Sequence, residues 1–118
     1  MTSAAVGKAA EDAALAYLQQ AGLKLVERNF RTRAGEIDLI MSDGNTLVFV
    51  EVRYRRTSQF GTGLESITAA KTGRIVRTAS AYLQRGRLSD RNCRFDIVSI
   101  SGKLGSFDID WIRNAFNA

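Results

Sequence analysis

Residues 35–53 read GEIDLIMSDGNTLVFVEVR. Two runs, Ile37 to Met41 and Leu47 to Val52, apolar except for Asp38 and Glu51, flank the tetrapeptide Asp43–Gly44–Asn45–Thr46. Runs rich in Val, Ile, Leu and Phe on either side of a short Gly-Asn connection predict a two-stranded hairpin. Side chains alternate faces along a strand, so Glu36 and Asp38 share a face, as do Glu51 and Arg53. A turn centred on Gly44–Asn45 sets Asp38 opposite Glu51 and Glu36 opposite Arg53. A turn centred on Asp43–Gly44 instead sets Glu36 opposite Glu51 and Asp38 opposite Phe49. The first pairing is preferred because it also matches Glu36 with Arg53. In either register a carboxylate faces Glu51. Directly opposed side chains have Cβ atoms about 4.5–5.5 Å apart, and like charges there repel. Two acids that close need a counter-charge or a shared proton. A divalent cation supplies the first, and Arg53 is the competing neutraliser.

Outward from the hairpin, Ser3 to Gln20 is predicted helical, with Val6, Ala10, Ala14, Leu15 and Leu18 at helical spacing and Gly22 as the stop. Leu23 to Arg31 reads as a first strand with an irregularity near Asn29. Gly35 to Met41 and Leu47 to Tyr54 are the second and third strands. Arg55 to Gly63 is polar and Gly-bearing, which predicts a loop. Leu64 to Arg85 reads as a long helix, weakened by Gly73 by up to about 1 kcal/mol relative to Ala. Arg94 to Ile100 is a fourth strand, Ser101 to Ser106 a turn, and Trp111 to Phe116 a final short element. Three consecutive strands, a helix and a further strand predict a mixed sheet flanked by helices, with a helical crossover to a parallel strand.

Composition narrows the chemistry. The chain has 118 residues, no histidine and one cysteine, Cys93. Imidazole bases, Ser-His-Asp triads, His-ligated zinc and Cys-cluster sites are therefore excluded. A resident metal would need oxygen ligands, which favour Mg²⁺, Mn²⁺ or Ca²⁺. A single cysteine makes no internal disulfide, which fits a reducing cytoplasm, and Cys93 is expected to be a small apolar filler. Glu11 and Asp12 interrupt the N-terminal segment, so no secretory signal peptide is expected. Apolar runs are too short for the roughly 20 residues of a membrane helix. The net charge of +5 points to a polyanionic partner. Arg31, Arg33, Arg55 and Arg56 cluster near strand ends beside the acids, as a rim suited to backbone phosphates. Gln59, Phe60 and Gly61 are a candidate clamp. Arg74 and Arg77 read as a solvated helix face, and Arg94 and Asp96 as sheet-stabilising.

Taken together, Gly7-x-x-x-Glu11, Arg28–Asn29–Phe30–Arg31, Gly35–Glu36–Ile37–Asp38–Leu39–Ile40, Val48–Phe49–Val50–Glu51–Val52–Arg53, Lys71 and Arg94–Phe95–Asp96 occur in one order from Gly7 to Phe116. In this the chain resembles the YraN family of small bacterial proteins. The resemblance implies a single restriction-endonuclease-like domain over 1–118, an α/β fold with an α-β-β-β-α-β core, of the PD-(D/E)xK superfamily. Holliday-junction resolvases belong to that superfamily. It implies Mg²⁺ or Mn²⁺ held by Asp38, Glu51 and the Val52 carbonyl, with Glu11 anchoring a water or a second metal. It also implies phosphodiester hydrolysis of DNA, branched DNA included, and by analogy with resolvases a homodimer. Arg53 stands where the superfamily pattern has lysine. Arginine stabilises phosphate charge but is a poor general base. Lys71, on the second helix, is the candidate to compensate. The competing expectation is a non-catalytic nucleic-acid-binding module of the same fold.

Overall fold

The computed structural model of the chain describes residues 3–56 and 67–118. Helix α1 (Ser3–Gln20) leads into strands β1 (Lys24–Thr32), β2 (Gly35–Asp43) and β3 (Thr46–Arg55). Helix α2 (Ala69–Arg85) follows, then β4 (Cys93–Lys103) and β5 (Ser106–Phe116). The five strands lie in the order β1-β2-β3-β4-β5. All neighbours are antiparallel except β3 and β4, which are parallel and joined through α2. This is the mixed α/β arrangement of a restriction-endonuclease-like domain, with one strand more than the core read from sequence. No helix among the described residues is long and apolar enough to cross a membrane.

The sheet carries a helix on each face because its central strands are apolar on both sides. On one face Ala10, Ala14 and Leu18 of α1 pack on Leu39, Met41, Val48, Val50, Val98 and Ile100. On the other, Ile75 and Ala79 of α2 pack on Ile40, Leu47, Phe49 and Phe95. Burying each large apolar side chain contributes about 1.5–3 kcal/mol. The smallness of Ala10 and Ala14, both fully buried, fits close approach of α1 to the sheet.

The hairpin register is the preferred one of the two read from the sequence. Asp43 pairs with Thr46 and Leu39 with Val50. Gly44 takes φ 59 at the first central position of the turn, where only glycine is free of Cβ strain. Asn29 also stands at a positive φ, 53°, inside β1. Asparagine is among the few side chains that tolerate this conformation.

Several expectations are corrected. The turn after β4 is confined to Leu104 and Gly105, and the last element is a full strand, Ser106–Phe116. Phe107, Ile109 and Trp111 face the α1 core while Asp108 and Asp110 alternate outward, a period-two signal masked by the run of small residues before it. The described part of α2 starts at Ala69 because the Thr68 hydroxyl caps it, accepting from the Lys71 N–H at 3.1 Å. Leu64 to Ser66 lie outside the described residues, as do Gln59, Phe60 and Gly61. Cys93 is exposed, at the first position of β4, and fills no core site.

Candidate metal centre

Pairing between β2 and β3 runs from the turn only as far as Leu39 opposite Val50. Beyond that point the Asp38 side chain replaces the backbone ladder. Its Oδ2 accepts the Val52 N–H at 2.8 Å. Side-chain alternation breaks at the same place. Ile37 joins the α2-side core instead of the α1-side core that holds Leu39 and Met41. The departing strand opens a gap at the middle of the sheet, and acids occupy it.

Asp38 and Glu51 meet there. Glu51 is buried, 6 % exposed, on the third strand. The Asp38 carboxyl is pushed up to about 8. Burial is the main cause, the facing Glu51 charge the next, and the Val52 N–H offsets part of the rise. Around neutrality and without a bound cation, the pair therefore tends to retain a proton. Lys71, from the first turn of α2, places Nζ 2.8 Å from Glu51 Oε1. Arg53 stands further off, with Nη1 3.9 Å from the same oxygen. The positive charge at Glu51 thus comes chiefly from a different element. Gly35 lies against α2, where a Cβ would make ordinary contact with Thr78 Oγ1 at 3.4 Å and Arg74 Cβ at 3.6 Å.

Asp38, Glu51, Lys71, Gly35, Glu36 and Arg74 line one pocket of about 190 Å³, with Ile75 completing it. Glu36 does not face Arg53. The ladder ends before it, and its Oε1 accepts from Asn29 Nδ2 at 3.1 Å while Arg31 Nε lies 3.2 Å from its Oε2. Glu11 lines a neighbouring groove. It is held by Arg28 Nη2 at 2.9 Å and Asn29 Nδ2 at 3.3 Å, yet remains near enough to add to the field on Asp38. Arg33 and Arg56 are exposed, Arg31 is exposed and paired with Glu36, and Arg55 is half-buried with a partner of its own. Arg94 and Asp96 lie in a separate network. Asp96 is fully buried and accepts from Arg94 Nε, Trp111 Nε1 and the Asn114 N–H.

The donor set fits a hard cation that keeps much of its own water. Two carboxylates converge, and no group of three or more acidic, Cys or His side chains does so among the described residues. Mg²⁺ is commonly bound in this way, by one or two carboxylates plus waters and substrate phosphates. Arg74 is the pocket residue that sequence reasoning missed. Its spacing of three from Lys71 on a helix already placed the two side by side.

A profile of the uncharacterised protein family UPF0102 matches residues 10–100 of the chain. A UPF0102 protein of Nitrosococcus oceani is 50% identical over 111 residues, covering 93% of this chain and 90% of that protein. One of Shewanella loihica is 52% identical over 110 residues, covering 93% and 92%. UPF0102 protein NE0719 of Nitrosomonas europaea is 54% identical over 111 residues, covering 94% and 92%.

Proposed function

The chain belongs to the uncharacterised family UPF0102, and from that premise we propose that it is a Mg²⁺- or Mn²⁺-dependent nuclease that hydrolyses phosphodiester bonds of DNA. Branched DNA is the favoured substrate, by likeness to junction resolvases. One observation carries the reading: Asp38 and Glu51 share a pocket in which Lys71 stands 2.8 Å from Glu51.

Asp38, Glu51 and the Val52 carbonyl would hold the cation. When bound, it supplies Lewis-acid activation of water and neutralises phosphate charge. Lys71 takes the part that Arg53 fills poorly. Its ammonium can donate to a phosphate oxygen or hold a water beside Glu51, as a compact charge that loses its proton more readily than a guanidinium does. Arg53 adds positive charge behind Glu51. Glu11 acts from the adjoining groove, as a carboxylate that orders water. Arg31, Arg33, Arg55 and Arg56 form the rim that positions the phosphodiester backbone without reading bases. On symmetric branched DNA, a homodimer presents two such pockets. The free Cys93 accords with a cytoplasmic location.

The second reading, a binding module without cleavage, rests on Arg53. The position of Lys71 weakens it, because a lysine is present at the acid even though the motif lacks one. Purified protein with Mg²⁺ or Mn²⁺ should nick plasmid and branched DNA, and Asp38→Ala or Glu51→Ala should remove that activity. Equal cutting by wild type and both variants would identify a contaminant and remove the support for a nuclease.

A further inference from the structure

Helix α2, AAKTGRIVRTASAYLQR, contains no Asp or Glu. Lys71, Arg74 and Arg77 recur on it every three residues, the spacing that aligns side chains in a ridge. At 1.5 Å rise per residue the ridge is about 9 Å long. One strand of DNA carries a phosphate about every 3.4 Å of axis, so the ridge spans two to three phosphates.

Among the described residues, two of the three cations have no ion-pair partner. Lys71 is paired with Glu51. Arg74 and Arg77 form no ion pair among the described residues, although Arg74 lines the pocket that holds Glu36, Asp38 and Glu51. Arg77 turns back toward the pocket end of the helix. Its Nη1 lies only 3.3 Å from where a Cβ on Gly73 would stand. A glycine in mid-helix thus leaves space for a guanidinium to fold along the ridge.

The neighbouring groove between α1 and β1 is the alternative path, but each of its cations is already held by an acid. Lys8 faces Asp12 at 3.6 Å, Arg28 holds Glu11 and Asp12, and Arg31 holds Glu36. A phosphate there would have to compete with a carboxylate for every cation, as it would not at Arg74 and Arg77. No aromatic ring lines either cavity among the described residues, so contact there is with phosphates and not with stacked bases.

We infer that the α2 ridge, Arg74 and Arg77 beside Lys71, is the track that grips the DNA phosphate backbone and leads it into the Asp38–Glu51 pocket. This rests on the proposed reading of the partner as DNA. It is independent of whether the pocket cleaves.

Binding of a labelled duplex is measured by anisotropy in EDTA across a salt series, so that no cutting intervenes. Arg74→Ala and Arg77→Ala should each lower the slope of log K against log salt by about 1 and weaken binding about 3- to 10-fold near 0.1 M salt. Arg74→Lys and Arg77→Lys should keep most of the slope. Lys8→Ala should leave it unchanged. An unaltered slope in both alanine variants, or a slope that changes on Lys8→Ala instead, overturns the track. Wild type that binds but never cuts with Mg²⁺ or Mn²⁺ ends the nuclease reading and leaves the track standing. Wild type that binds no DNA ends both.

Discussion

Asp38 is a buried acid facing a second acid, and both push its carboxyl upward. An acid whose folded value is about 8, against an ordinary 3.8, favours the folded state only while protonated. The contribution is complete below about pH 4, is lost as pH rises toward about 8, and changes little above it. Each pH unit crossed costs at most about 1.4 kcal/mol. Metal-free wild type should therefore lose stability between these limits, and Asp38→Asn should not. Urea titrations at about pH 5 and pH 8 measure this. A variant no more stable than wild type at pH 8 would show that the carboxyl is not strained by burial. Lys71 and Arg53 divide a second prediction. Lys71→Ala should cut cleavage about 10²- to 10³-fold, in the range for loss of a positioned electrostatic group. Arg53→Lys should change it less than about threefold, because the ammonium at Glu51 is already supplied. A large gain from Arg53→Lys would mean that Lys71 does not fill the role. That a carboxylate meets Glu51 was legible from turn length and alternation, and the preferred register made it Asp38. The partners of Glu36 were not, because a ladder that stops at Leu39 leaves no mark in local sequence.

At the scale of elements, α2 is defined by what it lacks. Gly73 should make it weaker than an alanine helix. Gly73→Ala is expected to raise stability by about 0.5–1 kcal/mol, since the crowded neighbour is the far end of the flexible Arg77 side chain. A loss of stability in thermal melts would instead mean that Arg77 is clamped in place. Strand β1 is an edge with mostly exposed side chains. Its bulge between Leu25 and Glu27, the left-handed Asn29 and its charged residues discourage further strand pairing. Most of the elements were readable in the sequence because their apolar periods are strong. The extent of β5 escaped notice because Gly102, Lys103, Gly105 and Ser106 read as one long turn. Gly102 at φ 97 instead stays within β4.

For the whole molecule, the two helix-covered cores are apolar, and neither carboxylate proposed to hold the metal belongs to them. Chelation should leave the fold intact. Mn²⁺ should raise the wild-type Tm near pH 8, by the equivalent of about 2.7 kcal/mol at a hundredfold excess over Kd. Asp38→Ala should abolish this rise in differential scanning fluorimetry. An equal rise in that variant would place the ion elsewhere.

Sequence alone determined the order of the elements, narrowed the hairpin to two registers and placed a carboxylate across from Glu51 in both. These depend on local periodicity and on the length of one turn, which any reader of residues 35–53 can count. Tertiary structure alone decided that Lys71 and not Arg53 stands closest to Glu51, that Arg74 joins the pocket, and that Glu11 is held one groove away. Those facts depend on how closely α2 and α1 settle on the sheet. Such contacts join residues distant in the chain, and they are set by packing at positions such as Ile75 and Ala79.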